Sequence, residues 1–168
     1  MPPDEEAIHK ELRALREGML QAWDARDLDR LLAFVDENVV VTWQNAEVNR
    51  GHDGVRRFYQ EVMGGENPLL SNITSELSVD ELAILHDGDT AIAFGSMKDT
   101  MSFGQTLERV PLVQKGIDIS LTSRWTATLV RKDDGWKLAS YHTSADLFDN
   151  PVLSLASGRL SSWRQLPR

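Results

Sequence analysis

Asp99 and His142 are the residues of this sequence whose types suit proton transfer and whose settings give that transfer something to act on. Asp99 lies in GSMKDTMSF, a strand-like stretch. Projecting into an apolar interior, its carboxylate would have a raised pKa and act as a base, because burial disfavours the charged form. At a strand end in water it is an ordinary aspartate. His142 carries an imidazole, a group that titrates near neutrality; the alternative is a structural or interface histidine on the polar side of its strand. Tyr141, beside it, is a candidate to hold developing negative charge through its hydroxyl. Trp43, Tyr59, Trp125 and Tyr141 are large aromatics on elements expected to face an interior, where they serve either as core or as the wall of a ligand pocket.

Other chemistries lack their residues. Histidines stand at 9, 52, 86 and 142, with none of the short spacings of a metal site, so no metal is expected. His52 and Asp53, at a helix start, read as capping residues. Neither GxxxxGK nor GxGxxG is present, and Ser123, Ser140 and Ser144 lack the GxSxG elbow of a hydrolase. No cofactor is expected. The absence of cysteine removes disulfides, thiol nucleophiles and thiolate metal sites. A formal charge of -8 argues against nucleic acid and anionic membrane partners, which are held by clustered Lys and Arg. The N-terminus is acidic and then amphipathic, with no apolar run like that of a signal peptide, and nothing approaches the length of a membrane span; the expectation is a cytoplasmic protein.

The elements that position these residues follow from periodicity. In LTSRWTATLVRKDDGWKLASYHTSADLFDNP, Asp133-Asp134-Gly135 is a turn between two strands. With Lys132 opposite Trp136, the pairs Trp125 with Thr143, Ala127 with Tyr141 and Leu129 with Ala139 share an apolar side. Arg124, Thr126, Thr128, Ser140, His142 and Ser144 then share the polar side. Upstream, Ile8, Leu12, Leu15, Met19 and Trp23 recur at helical spacing, as do Leu28, Leu31, Leu32 and Val35 behind a capping Asp27. Val39 to Trp43 is a strand, with a short strand at 47–50. A third helix begins near Gly54 and ends at Gly64-Gly65. Ile73 to Leu85 is a long strand bent near Asp80-Glu81, and Thr90 to Phe103 is another. At 168 residues the chain makes one domain, 1–147, with an apolar and locally basic tail, 148–168, expected to dock on the sheet or on a neighbouring subunit. Helices followed by antiparallel strands give an α+β fold, a curved, mainly antiparallel sheet wrapping three helices of the N-terminal half and leaving a conical cavity.

This order resembles the nuclear transport factor 2-like superfamily, on three patterns: WDARDLDRLLAFVDENVVVTW, RGHDGVRRFY and RWTATLVRKDDGWKLASYHTS. The closing portion looks most like bacterial SnoaL-like or DUF4440-type proteins. The resemblance implies a homodimer through the exposed sheet face and a hydrophobic small-molecule ligand in the cone. It does not carry over one chemistry. Trp43 and Met19 fall where ketosteroid isomerase has its carboxylate base and its oxyanion-binding tyrosine, and neither can transfer a proton there. Ala127 and Thr143 fall where a kinase association domain has pocket arginines. Two functions are therefore expected in competition: a dimeric small-molecule-binding or association module, and a cofactor-independent lyase, isomerase or cyclase using Asp99 or His142 with Tyr141.

Overall fold

Asp4 accepts hydrogen bonds from the Glu6 and Ala7 amides and starts α1 (Glu5–Asp24), with Glu5 and Glu6 in the first turn, where the helix dipole favours negative charge. Its buried stripe is Ile8, Leu12, Leu15 and Ala22. Asp27 accepts from the Arg30 amide and starts α2 (Leu28–Ala33), which buries Leu31 and Leu32. The strand pair β1 (Val35–Thr42) and β2 (Val48–Arg50) leads into α3 (Gly51–Met63). Four longer strands follow: β3 (Leu70–Leu85), β4 (Thr90–Phe103), β5 (Asp118–Lys132) and β6 (Gly135–Ala145). The computed structural model describes residues 4–106 and 114–145, so the tail expected from 148 lies outside the described residues.

The strands form one sheet in the order β2-β1-β6-β5-β4-β3. β1 runs parallel to β6 and every other pair is antiparallel. The sheet is open and curved, and with the helices it makes the α+β cone that the sequence implies. Two features bend it. The β3–β4 register shifts between Val79 and Glu81, a bulge at Asp80 where the alternation of the sequence fails. Across the sheet Gly95 has no room for a side chain, because a Cβ there would run into the Ser78 carbonyl oxygen and the Trp125 ring.

The inner face is set by parity. Ala91 and Ala93 on β4, Trp125, Ala127 and Leu129 on β5, and Leu138 on β6 join Val39 and Val41 of β1 and the stripe of α1 in one core. Trp125 does pair with Thr143, and Ala127 with Tyr141. The turn differs from expectation. Lys132 pairs with Gly135, not Trp136, and Leu129 with Leu138, not Ala139, with a register shift after Thr128. The connection is thus a two-residue turn closed by Gly135 at φ 116°, and the extra residue expected in the turn becomes a bulge at Ala139. The slip brings Trp136 and Leu138 into the core. Trp136 is pinned there by its indole N–H, which donates to Glu11 of α1 at 2.9 Å, and by Arg131, whose guanidinium lies 4.9 Å from the ring centroid. His52 also departs from its capping role: its Nε2 lies 2.9 Å from the Val35 carbonyl oxygen, and no side chain caps α3.

Candidate functional site

Asp99 stands on β4 at the same parity as Ala91, Ala93, Gly95 and Met97, so the strand turns its carboxylate into the cone. It is 2% exposed. Its partners are neutral groups. Ser75, directly opposite on β3, donates from Oγ to Oδ1 at 2.5 Å. Gln44, just past the end of β1, donates from Nε2 to Oδ2 at 2.7 Å. The same Nε2 lies 3.2 Å from Oγ of Ser123, a residue buried completely on β5. Burial pushes the Asp99 carboxyl above its ordinary value, and the hydrogen bonds from Ser75 and Gln44, which favour the charged form, oppose this without overcoming it. No ion pair to Asp99 is found among the described residues.

Tyr141 faces the same interior from β6. Burial first, and then the nearby Asp99 carboxylate, raise its phenol well above the usual range, so it stays protonated as a donor. Among the described residues the hydroxyl meets only the Met97 thioether, at 3.7 Å, a weak acceptor. Trp125 stacks beside Tyr141 with ring centroids 6.4 Å apart, and its indole N–H donates to the Ser96 carbonyl at 3.1 Å. Thr143, paired with Trp125, is 3% exposed, and its hydroxyl has no partner among the described residues.

The structure thus brings together Asp99, Tyr141 and Trp125 and separates the others. His142 is exposed on the opposite face of the sheet, where it pairs with Thr126. It does not share a site with Asp99, because adjacent strand residues point to opposite faces. Trp43 stacks on Phe58 of α3 at 4.2 Å and donates from Nε1 to Asn49 at 2.5 Å. Tyr59 packs edge-on against Trp23, with its buried hydroxyl unpaired among the described residues. Gln44, Ser75, Ser123 and Thr143 were not singled out as site residues from sequence. For the three hydroxyl residues a signal was present: each shares the parity of apolar neighbours, Ser75 with Ile73 and Leu77, Ser123 and Thr143 with Trp125 and Tyr141. Gln44, in a turn, carried none. Among the described residues no group of three or more His, Asp and Glu could hold a metal ion.

A family model described as the SnoaL-like domain matches residues 17–139, a span that contains this whole cluster except Thr143 and Tyr141. No curated protein matches the sequence. Among solved structures, a type 2 hexachlorocyclohexane dehydrochlorinase (LinA) has a TM-score of 0.69 at 16% identity, covering 85% of this chain and 88% of its own. The LinA-type3 hexachlorocyclohexane dehydrochlorinase from Novosphingobium barchaimii LL02 has 0.68 at 16%, covering 85% and 89%. A ketosteroid isomerase-like protein from Erwinia carotovora atroseptica SCRI1043 has 0.61 at 18%, covering 81% and 94%. At such identities the common property is the fold.

Proposed function

The chain belongs to the SnoaL-like domain family, and from that premise we propose that it binds a small, hydrophobic, carbonyl-bearing molecule in the cone, with Asp99 and Tyr141 at the polar end. The observation that carries this reading is a carboxyl group 2% exposed, with hydroxyl and amide partners in place of a cation, on the same face as two stacked aromatic rings. Structural carboxylates are usually kept charged by a cation or by backbone amides, whereas an acid pushed toward its neutral form is equipped to exchange hydrogen bonds, or a proton, with a polar ligand. Tyr141 donates to the ligand's carbonyl oxygen, Asp99 receives the adjoining polar group, and Trp125 packs against the apolar body. A naphthyl ketone with a hydroxyl on the carbon beside its carbonyl, 2-hydroxy-1-(naphthalen-2-yl)ethanone, offers Asp99 that polar group and tests this by fluorescence titration. Asp99→Ala is expected to weaken binding about tenfold, the equivalent of one ligand hydrogen bond of about 1.4 kcal/mol. Equal affinity in wild type, Asp99→Ala and Tyr141→Phe sinks the proposal.

The raised Asp99 pKa beside a phenol that stays protonated favours a second reading, catalysis of proton transfer as a lyase or isomerase. Asp99 takes the proton from a carbon next to the carbonyl, and the electron pair moves onto the oxygen held by Tyr141. The enolate then either regains a proton elsewhere or expels a leaving group. In heavy water, Asp99-dependent loss of the ketone's α-proton signal supports this; exchange no faster than the buffer rate refutes it.

The outer sheet face supports a homodimer. Ile92, Phe94 and Val130 lie there half-buried, at the parity opposite Asp99 and Trp125. No helix among the described residues is long and apolar enough to cross a membrane.

A further inference from the structure

Asp99 and Ser123 are closed off from solvent. With exposures of 2% and 0%, neither meets a solute unless a covering group moves. Ser75 and Ser123 are held in the sheet ladder, where withdrawal would break strands. Gln44 is different. It sits in the β1–β2 turn, closed by the Trp43 amide donating to the Glu47 carbonyl at 2.9 Å, with exposed Asn45 and Ala46 beside it. Rotation of its side chain, or a shift of this turn, releases Asp99 Oδ2 from its amide partner and leaves the long strands intact.

What Gln44 presents is a primary carboxamide. Its Nε2 serves Asp99 Oδ2 at 2.7 Å and Ser123 Oγ at 3.2 Å. Close by, Thr143 follows His142, the last β6 residue paired with β1, opposite Thr42, two residues before Gln44. The Thr143 hydroxyl is buried and unpaired among the described residues. A buried hydroxyl without a partner costs free energy that an incoming acceptor would recover.

We infer that this end of the cone is a carboxamide-shaped subsite that Gln44 fills in the free protein, and that it takes in exchange a ligand bearing a primary amide or a hydroxyl beside a carbonyl. The inference rests on the small-molecule reading above and narrows its ligand class. The ligand's N–H or O–H replaces Nε2 on Asp99 and Ser123, and its neighbouring oxygen accepts from Thr143. An apolar ligand offers no such exchange, since it would leave Asp99 and Ser123 short of a partner.

Thermal unfolding of Gln44→Ala with propionamide as the probe tests this. At about ten times its dissociation constant, propionamide is expected to raise the melting temperature of Gln44→Ala by about 3–6 °C. Wild type, whose own amide fills the place, shifts by much less, and so does Gln44→Ala combined with Asp99→Ala. N,N-dimethylpropionamide, which has no N–H to donate, also shifts Gln44→Ala by less. Gln44→Ser, which leaves room for the amide, replaces the alanine variant if that one is unfolded. Equal shifts with both amides, equal shifts in wild type, or no shift overturns the subsite. Should Gln44→Ala ignore propionamide while wild type still binds the naphthyl ketone in an Asp99-dependent way, the subsite falls and the small-molecule reading stands. Should Gln44→Ala take propionamide while wild type binds no ketone, the subsite stands and that reading falls.

Discussion

Two buried acids of this protein are pushed in opposite directions, and the contrast shows what Asp99 is equipped for. Asp36, on β1, accepts from the Asn38 amide and pairs with Lys132 at 2.9 Å; these contacts, the amide first, hold its carboxyl below the ordinary value. Asp99 has only hydroxyl and amide donors, and burial wins. The signs for stability follow from linkage. For Asp36, whose folded pKa is depressed, the native state is favoured above the ordinary carboxylate range and loses that contribution as pH falls through the folded value. For Asp99, whose folded pKa is raised, the native state is favoured at low pH and loses that contribution as pH rises from the ordinary range through the raised value. Melting temperatures taken from pH 3 to pH 8 should therefore diverge. Asp99→Asn gains on wild type as pH rises, whereas Asp36→Asn falls further behind it. Parallel curves for Asp99→Asn and wild type would show that Asp99 titrates normally. Tyr141→Phe isolates the other polar group. Among the described residues its hydroxyl touches only the Met97 sulfur, so the change should move stability by no more than about 0.5 kcal/mol while weakening the naphthyl ketone about five- to tenfold. Urea unfolding and fluorescence titration of the same variant separate the two effects.

At the scale of elements, what was legible in the sequence was whatever alternation alone dictates. Trp125, Ala127 and Tyr141 fell on the inner face and Arg124, Thr126 and His142 on the outer because side chains alternate and the distal register held. The proximal end of the same hairpin was misread, since Asp133-Asp134-Gly135 is compatible with either a three-residue turn or a two-residue turn plus a bulge. Choosing between them depends on Trp136 reaching Glu11, 125 positions away in sequence, which no local pattern reports. The bend at Asp80 was visible as broken alternation. Its partner Gly95 was not, because a strand glycine matters only when the opposing Ser78 carbonyl is known to crowd it. Asp99 is an intermediate case: its parity matched Ala91 and Ala93, but only the fold shows that it is 2% exposed and bonded to Gln44. The two bending features give a prediction at this scale. Gly95→Ala forces a methyl against Ser78 and Trp125 and should destabilise by about 1–3 kcal/mol, read as a lower urea midpoint at unchanged slope. Retained stability would mean that the β3 bulge yields, and the near-ultraviolet signal of Trp125 should then shift.

For the whole molecule, a sheet whose inner face packs on the helices of the described residues leaves a second face to be accounted for. The outer residues of β4, β5 and β6 are a mixture that suits a partner better than open water. Ile92, Phe94 and Val130 supply apolar area, Thr126, Thr128, Ser140 and Ser144 supply short hydroxyls, and Arg124 is paired with Asp80 at 2.8 Å. A net charge of -8 on each copy opposes association at long range, so contact is favoured at a region of low charge such as this one. A two-fold dimer brings the same patch together twice, and a residue near the axis meets its own copy. Thr126 is well placed for that test, being exposed and paired across the ladder with Phe94 on one side and His142 on the other. Thr126→Arg would set two like charges against each other in the proposed interface, at a cost that no inner-face contact offsets. Sedimentation velocity should then show wild type at twice the chain mass and Thr126→Arg at the monomer mass, with ketone binding retained if each cone is complete within one chain. A variant that remains dimeric would move the interface elsewhere, and a wild type that sediments as a monomer would remove the dimer.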